Sequence, residues 1–217
     1  MIAIMAGDEA DIRKARAICE GLSRLRVIDT NVQQWANAHE MAWIPIRATQ
    51  ITKIRPDGHC LFAAMYVSKG LSEGRPLRAA DILNMGPTAR QHWVDRARSI
   101  LTKAADVRDP SVLDARTILL DGEQTAEEYL RLMSQKQPSR ESWGGESELH
   151  VMARLWGCRI CILLLREDPA EGSQVRLLTG PLGTVGHIHT LLFNGSHYDL
   201  VILTKEQLIM LGLLPCA

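Results

Sequence analysis

Three residues in this sequence have the types and settings that could support nucleophilic catalysis: Cys60, His197 and Asp199. Cys60 follows a Pro56-Asp57-Gly58 turn signal and His59, and opens an apolar run that continues to Lys69 and stops at Gly70. That pattern predicts a loop running into the first residue of a buried helix. A thiol there feels the positive end of the helix dipole and sits beside backbone N–H groups that have no helical partner. Both favour the thiolate, which is the nucleophile. The same free N–H groups could hold an oxyanion. A lone cysteine is otherwise a small buried hydrophobe, and Cys19 and Cys216 are read that way.

His197 and Asp199 lie in the best hairpin signal of the chain, Thr190–Phe193, then Asn194-Gly195-Ser196, then His197–Leu203. Strand alternation sends His197, Asp199 and Val201 to one face and Tyr198, Leu200 and Ile202 to the other. The second set is apolar and belongs to the core; the first lines the opposite face. Two strand residues span about 7 Å, which brings the carboxylate within side-chain reach of the imidazole. An acid there would fix the tautomer and stabilise the imidazolium. The same pair would equally suit the polar face of an exposed edge strand.

Other candidates carry less. Cys158-Arg159-Ile160-Cys161 is a C-x-x-C, but on a strand its sulfurs face opposite sides and no second pair has zinc spacing, so both read as core. His187 and His189 read as solvated loop residues. His39, His92 and His150 fall on predicted helices without a chemical setting. Trp143-Gly144-Gly145-Glu146 lacks the lysine and spacing of a phosphate loop.

The elements that must position these residues follow from periodicity and breakers. Helices are predicted over Asp8 to about Arg26, Thr30 to about Ala42, Pro87 to about Lys103, Ser111–Leu119 and Glu146–Trp156, the last ended by Gly157. Another, Glu123–Met133, starts at the capping box Thr125–Glu128. A short helix follows Thr204 and stops at Pro215. Ile46–Arg55 reads as a strand leading into the Cys60 turn. Cys158–Leu165 is apolar on both faces, hence a central strand. Arg166–Gly186 reads as loop and turn, with at most a short strand at Val175–Leu178. The class is α+β, with residues 1–45 as a helical N-terminal extension and 46–217 as the main domain.

Composition narrows the function. Of 217 residues 46% are hydrophobic, enough for a core, while only 5% are aromatic, so Leu, Ile, Val, Ala and Met must fill it. Lys+Arg and Asp+Glu are equal at 25 each, which gives no basic excess for nucleic acid or a membrane surface. No apolar run is long enough to span a bilayer, and the N-terminus lacks the basic and apolar regions of a signal peptide. Five scattered cysteines in a chain of this size suggest free thiols in a reducing, cytoplasmic compartment.

Three blocks, in order, resemble one family. Asp57-Gly58-His59-Cys60-Leu61-Phe62 is similar to the Asp-Gly-Asn-Cys-Leu-Phe opening of the ovarian tumour (OTU) cysteine proteases. Trp143-Gly144-Gly145-Glu146, with Glu148-Leu149 and Ala153 to Gly157, resembles that family's Trp-Gly-Gly helix block. Asn194-Gly195-Ser196-His197-Tyr198-Asp199 resembles its closing His-Tyr-Asp/Asn hairpin. The resemblance covers about Ile46 to Thr204. His59 departs from it, since asparagine is more usual there.

The resemblance implies a papain-like α+β fold, with a small, mostly antiparallel sheet between helical layers. It implies a deubiquitinase that hydrolyses the isopeptide bond after the ubiquitin C-terminal glycine, through a thioester on Cys60. Its partners would be ubiquitin, polyubiquitin or ubiquitin-like modifiers, in the host cytoplasm if the source is a virus or bacterium, with no metal or organic cofactor. Cys60 would be the nucleophile, His197 the general base and Asp199 its orienting acid. Asp57, Gly58 and His59 would form the oxyanion loop, with Asp57 sometimes counted in the catalytic set. Trp143, Gly144, Gly145 and Glu146 would border the groove for the Gly-Gly tail, and Gly70 to about Gly122 and Arg166–Gly186 would meet the body of ubiquitin. Two alternatives stand beside this. One is a papain-like protease or acyl-transferase with another substrate, although the local papain signature is absent. The other is an inactive ubiquitin-binding module.

Overall fold

The computed structural model describes residues 43–102, 110–120, 124–183 and 185–215. Nearly all of the predicted extension, with its two helices, Cys19 and His39, lies outside the described residues, as does Cys216. The described elements are β1 (Ile44–Pro45), β2 (Ile51–Thr52), α1 (Cys60–Ser72), α2 (Ala79–Thr102), α3 (Pro110–Leu120), α4 (Ala126–Met133), α5 (Glu146–Trp156), β3 (Arg159–Asp168), β4 (Gly172–Leu182), β5 (Ile188–Phe193), β6 (Tyr198–Val201) and α6 (Lys205–Met210). Single 3-10 turns precede β2 and α5.

The six strands form one sheet in the order β1-β4-β3-β5-β6-β2. Only the β3–β5 pairing is parallel; the others are antiparallel. The class is therefore α+β with a mostly antiparallel sheet. Alternation along β3 explains its central place. Ile160 and Ile162 enter a core shared with α1 to α5, while Cys161 and Leu163 enter a second core beneath the sheet. Ile44, Ile46, Leu211 and Leu213 close that second face. The C-x-x-C cysteines are buried on opposite sides, Cys158 in the first core and Cys161 in the second. Burial pushes the Cys158 thiol up to about 11 and the Cys161 thiol up to about 12.

Helix α1 lies at the centre because almost no face of it is polar. Leu61, Phe62, Met65 and Val67 are all buried, and each such side chain contributes roughly 1.5–3 kcal/mol of burial. Its contacts with α2, β5 and β6 carry Cys60 to the hairpin.

Several elements differ from the sequence expectation. The strand expected over Ile46–Arg55 is reduced to Ile51–Thr52, with a 3-10 turn at Ala48–Gln50 before it. Helix α1 runs through Gly70 to Ser72, since the break falls at Gly74, whose φ is +72°. Helix α2 begins at Ala79, so Pro87 lies inside it rather than at its first turn. Pro87 forfeits the hydrogen bond to the Leu83 carbonyl, and Leu83 is exposed, where water can replace it. The segment read as loop between Arg166 and Gly186 contains an eleven-residue strand, β4, held by β3 on one side and β1 on the other. Helices α4 and α5 match their capping signals: Thr125 accepts from the Glu128 N–H, and Gly157 ends α5 at φ +56°.

Candidate active site

Cys60 is the first residue of α1, and His59 before it makes no side-chain cap. The first amides of the helix are thus open to the sulfur and to whatever approaches it. Asp57 shapes the preceding loop by accepting the His59 N–H on Oδ1 at 3.0 Å. Gly58 is required there twice over: its φ is +79°, and a Cβ would fall 2.8 Å from Trp143 Nε1.

The Trp-Gly-Gly segment lies against this loop and the start of α1. A Cβ on Gly144 would come within 2.7 Å of both Leu61 Cδ2 and Phe62 Cζ. A buried polar chain then fixes the start of α5. Trp93 Nε1 donates to Tyr129 Oη at 3.0 Å, and Tyr129 donates to Glu148 Oε1 at 2.8 Å. Glu148 Oε2 accepts the Gly145 N–H at 2.7 Å. The two glycines are thereby held from below by packing and from behind by hydrogen bonds.

His197 stands just before β6, after the Asn194-Gly195-Ser196 turn, in which Asn194 Oδ1 accepts the His197 N–H at 3.0 Å. Its Nε2 lies 3.1 Å from Asp199 Oδ1. Asp199 is buried, and Oδ1 also accepts the Ile54 N–H at 2.8 Å, while Lys53 Nζ reaches Oδ2 at 2.9 Å. Burial alone would raise the Asp199 carboxyl, but the Ile54 amide, Lys53 and His197 together hold it below the usual carboxylate range. An ionised Asp199 can only accept, so Nε2 carries the ring proton. In the neutral ring the lone pair then lies on Nδ1, which is buried and without a partner among the described residues.

The other hairpin residues depart from simple alternation. Val201 faces the second core rather than a cleft, and Ile202 lies beyond β6 and is exposed rather than buried. Leu200 enters the first core and Tyr198 packs against it, as expected.

The loop, the Trp-Gly-Gly segment and the hairpin line a cavity of about 300 Å³, to which the first gives Gly58 and Cys60, the second Trp143, Gly144 and Gly145, and the third Gly195, Ser196 and Tyr198. Cys60 borders it. Burial pushes the Cys60 thiol up; the Tyr198, Leu61 and Cys60 amides pull against this, and the Asp57 carboxylate adds to the rise. The net direction is upward, so the resting residue is a thiol. The helix N-terminus moderates the effect of burial without overcoming it, contrary to the thiolate expected from the sequence setting.

The loop amides divide into two groups. The Asp57 N–H is taken by the Arg55 carbonyl at 3.0 Å, and the His59 N–H by Asp57. Among the described residues the Gly58 amide finds no acceptor, and the Cys60 amide is left at the helix terminus. The His59 ring is buried, its Nδ1 unpartnered, and desolvation lowers its pKa.

Glu146, the fourth residue of the Trp-Gly-Gly-Glu block, has a buried Oε1 without a hydrogen-bond partner, and burial raises its carboxyl to about 7. His189, read from sequence as solvated, is buried with Nδ1 at 2.7 Å from Ser68 Oγ, because the strand begins at Ile188 and carries it under α1. Sequence reading missed Lys53, Arg90 and Arg140, the last of which borders the cavity. Of these only Arg90 had a signal, as a charge within the apolar stripe Gly86, Ala89, Trp93, Val94, Ala97 of α2. Among the described residues no group of three or more His, Cys, Asp or Glu side chains could hold a metal ion, and no helix is long and apolar enough to cross a membrane.

No family model and no curated protein matches the sequence. Solved structures do. The OTU domain of OTUD1 is 21% identical over 70% of this chain and 85% of that one, with a TM-score of 0.44. The Hazara virus OTU bound to ubiquitin is 16% identical over 76% and 98%, with a TM-score of 0.41. An OTU deubiquitinase from Wolbachia pipientis wMel bound to ubiquitin is 12% identical over 70% and 94%, with a TM-score of 0.39.

Proposed function

We propose that this chain is a cysteine-type deubiquitinase, its catalytic domain including β1 from Ile44 onward rather than starting at residue 46, and that Cys60, His197 and Asp199 do its chemistry. The observation that carries the reading is the state of His197. One ring nitrogen is held by an ionised carboxylate, the other is buried and unpartnered among the described residues, and the amide of the next residue, Tyr198, acts on the Cys60 thiol, lowering its pKa against the effect of burial. That is the arrangement a general base needs beside a thiol.

The resting thiol loses its proton to His197 Nδ1 as the sulfur attacks the carbonyl of the ubiquitin terminal glycine. A C–S bond forms and the carbonyl oxygen takes negative charge. The Gly58 and Cys60 amides receive that oxyanion. As the intermediate collapses, His197 gives the proton to the leaving lysine amine and a thioester remains on Cys60. Water, deprotonated by His197, then hydrolyses the thioester and restores the thiol. Asp199 keeps Nε2 protonated and stabilises the imidazolium throughout. Trp143, Gly144, Gly145 and Glu146 border the path of the glycine tail, where a side chain at Gly144 would collide with α1.

The substrate class comes from the three motif blocks; the chemistry comes from the geometry. A ubiquitin probe bearing a C-terminal electrophile tests both. We expect a covalent adduct on Cys60, and Cys60→Ala to abolish turnover while leaving the fold intact. Alkylation of Cys60 by small electrophiles without a ubiquitin adduct would favour another substrate, and turnover by Cys60→Ala would reject the nucleophile.

A further inference from the structure

Helix α2 meets the nucleophile loop with two residues one turn apart, Gly86 and Arg90. A Cβ on Gly86 would lie 2.9 Å from His59 Cβ and 3.3 Å from Asp57 Oδ2, so only glycine lets the loop close on the helix. Arg90 is 2% exposed, and among the described residues no carboxylate lies within ion-pair distance of it; Glu148 acts on it only from further off. Its guanidinium instead donates to three main-chain carbonyls: Nε to Met133 at 2.8 Å, Nη2 to Ser142 at 2.5 Å and Nη1 to Gly58 at 3.3 Å. These belong to the end of α4, the turn before Trp143 and the loop before Cys60. Burying a cation without a direct ion pair is expensive unless its hydrogen bonds are satisfied, and here the three carbonyls satisfy them.

The third contact bears on catalysis. The peptide unit between Gly58 and His59 is gripped at both ends. Its carbonyl accepts from Arg90, and its N–H donates to Asp57 Oδ1. A peptide held at oxygen and nitrogen cannot rotate, so the neighbouring Gly58 and Cys60 amides keep one orientation. Were the peptide to turn over, the Gly58 carbonyl would swing toward the side its amides now serve.

We propose that Arg90 is a positioning residue that, with Asp57, locks the Gly58–His59 peptide in the orientation the oxyanion requires. The catalytic part rests on the function proposed above; the lock itself does not. Lysine cannot span three carbonyls, so Arg90→Lys keeps the charge and releases the lock. Gly86→Ala wedges the loop from the same face, in a residue change that otherwise favours the helix.

Amide exchange of His59 reads the lock directly. We expect it to quicken at least about tenfold in Arg90→Lys, or in Gly86→Ala should the first variant fail to fold, without a matching change in the core amides. Unchanged His59 exchange overturns the proposal whatever the activity. On a fluorogenic ubiquitin amide, kcat should fall roughly 100-fold with KM within about threefold, the pattern of a lost oxyanion donor. Because Asp57 and Arg90 hold one peptide, Asp57→Ala and Arg90→Lys should combine less than additively. Additive losses, or a fall confined to KM, overturn the positioning role. A wild-type protein that turns over no ubiquitin substrate rejects the proposed function alone, and the exchange measurement still decides the lock.

Discussion

Asp199 holds His197 by a single nitrogen: Oδ1 lies 3.1 Å from Nε2, and Nδ1 is left buried and unpartnered. The same oxygen accepts the Ile54 N–H, so the acid that orients the base also ties the segment before the nucleophile loop to the hairpin. Asp199→Ala therefore loses two things. The imidazole loses its tautomer control, which should lower kcat by about 10²- to 10⁴-fold. The Ile54 amide loses its acceptor, which should lower stability by about 1–3 kcal/mol. Asp199→Asn can still accept from His197 and Ile54 through its one oxygen, though its NH2 then faces the exposed Lys53, and it should keep more of the stability than alanine while losing the charge that stabilises the imidazolium. Steady-state kinetics and denaturant unfolding on the two variants check this. Equal loss of stability in both would show that the oxygen position matters less than the charge.

Cys60 gives a second prediction, because burial outweighs the amides around its sulfur. A resting thiol is titrated only above the range of an ordinary cysteine. The rate of alkylation by iodoacetamide should rise with pH and reach its midpoint above that of a free cysteine peptide measured alongside. His197→Ala should leave that midpoint nearly unchanged while abolishing turnover, since the histidine acts during attack. A midpoint well below that of the free peptide, moving up in His197→Ala, would instead demonstrate a preformed thiolate–imidazolium pair.

Gly144 and Gly145 stand side by side and should respond differently. Alanine at Gly144 drives a Cβ into Leu61 and Phe62 at 2.7 Å, and overpacking of this kind costs about 1–3 kcal/mol. The displacement acts on the first turn of α1, so kcat should fall with stability. Alanine at Gly145 meets only Glu148 Oε2, at 3.8 Å, with φ at −135°, an ordinary conformation for any residue. Its stability should change by less than about 1 kcal/mol, while the added methyl narrows the cavity and raises KM. Thermal unfolding with Michaelis kinetics separates the two, and matching behaviour would refute the assignment of these roles.

The residues around Cys60, Trp143 and His197 were legible because their geometry is local: a turn before a helix, a capped helix with a glycine stop, a tight hairpin. What was not legible depends on partners far along the chain. Strand β4 lacked clean alternation, and it exists because β3 and β1 satisfy its backbone from both sides. A proline rule starts helix α2 at Pro87 and cannot know that Leu83, one turn earlier, is exposed. The sequence offers His189 no neighbouring acid, and its partner is the hydroxyl of Ser68, a hundred and more residues earlier. Arg90 sat in plain view as a charge in an apolar stripe, but its three acceptors are main-chain carbonyls, which carry no side-chain signature.

Glu146 yields a prediction about pH. Burial raises its carboxyl to about 7, against 4.5 for an ordinary glutamate. Its nearest basic neighbour, His150 Nε2 at 3.9 Å, is itself lowered by burial and by Arg154, so it offers little positive charge in return. Between those two values the folded protein binds more protons at this site than the unfolded chain does. Stability contributed here is thus complete below the unfolded value and declines as pH rises through about 7. Glu146→Gln removes the titration. Relative to the wild type it should gain nothing at acid pH and on the order of 1–2 kcal/mol above neutrality, after allowing for solvent screening at the exposed edge of the carboxyl. Urea unfolding of both proteins at acid, neutral and mildly alkaline pH measures the difference. Parallel stability profiles would mean that Glu146 is ionised in the folded state, its unpartnered oxygen satisfied by water.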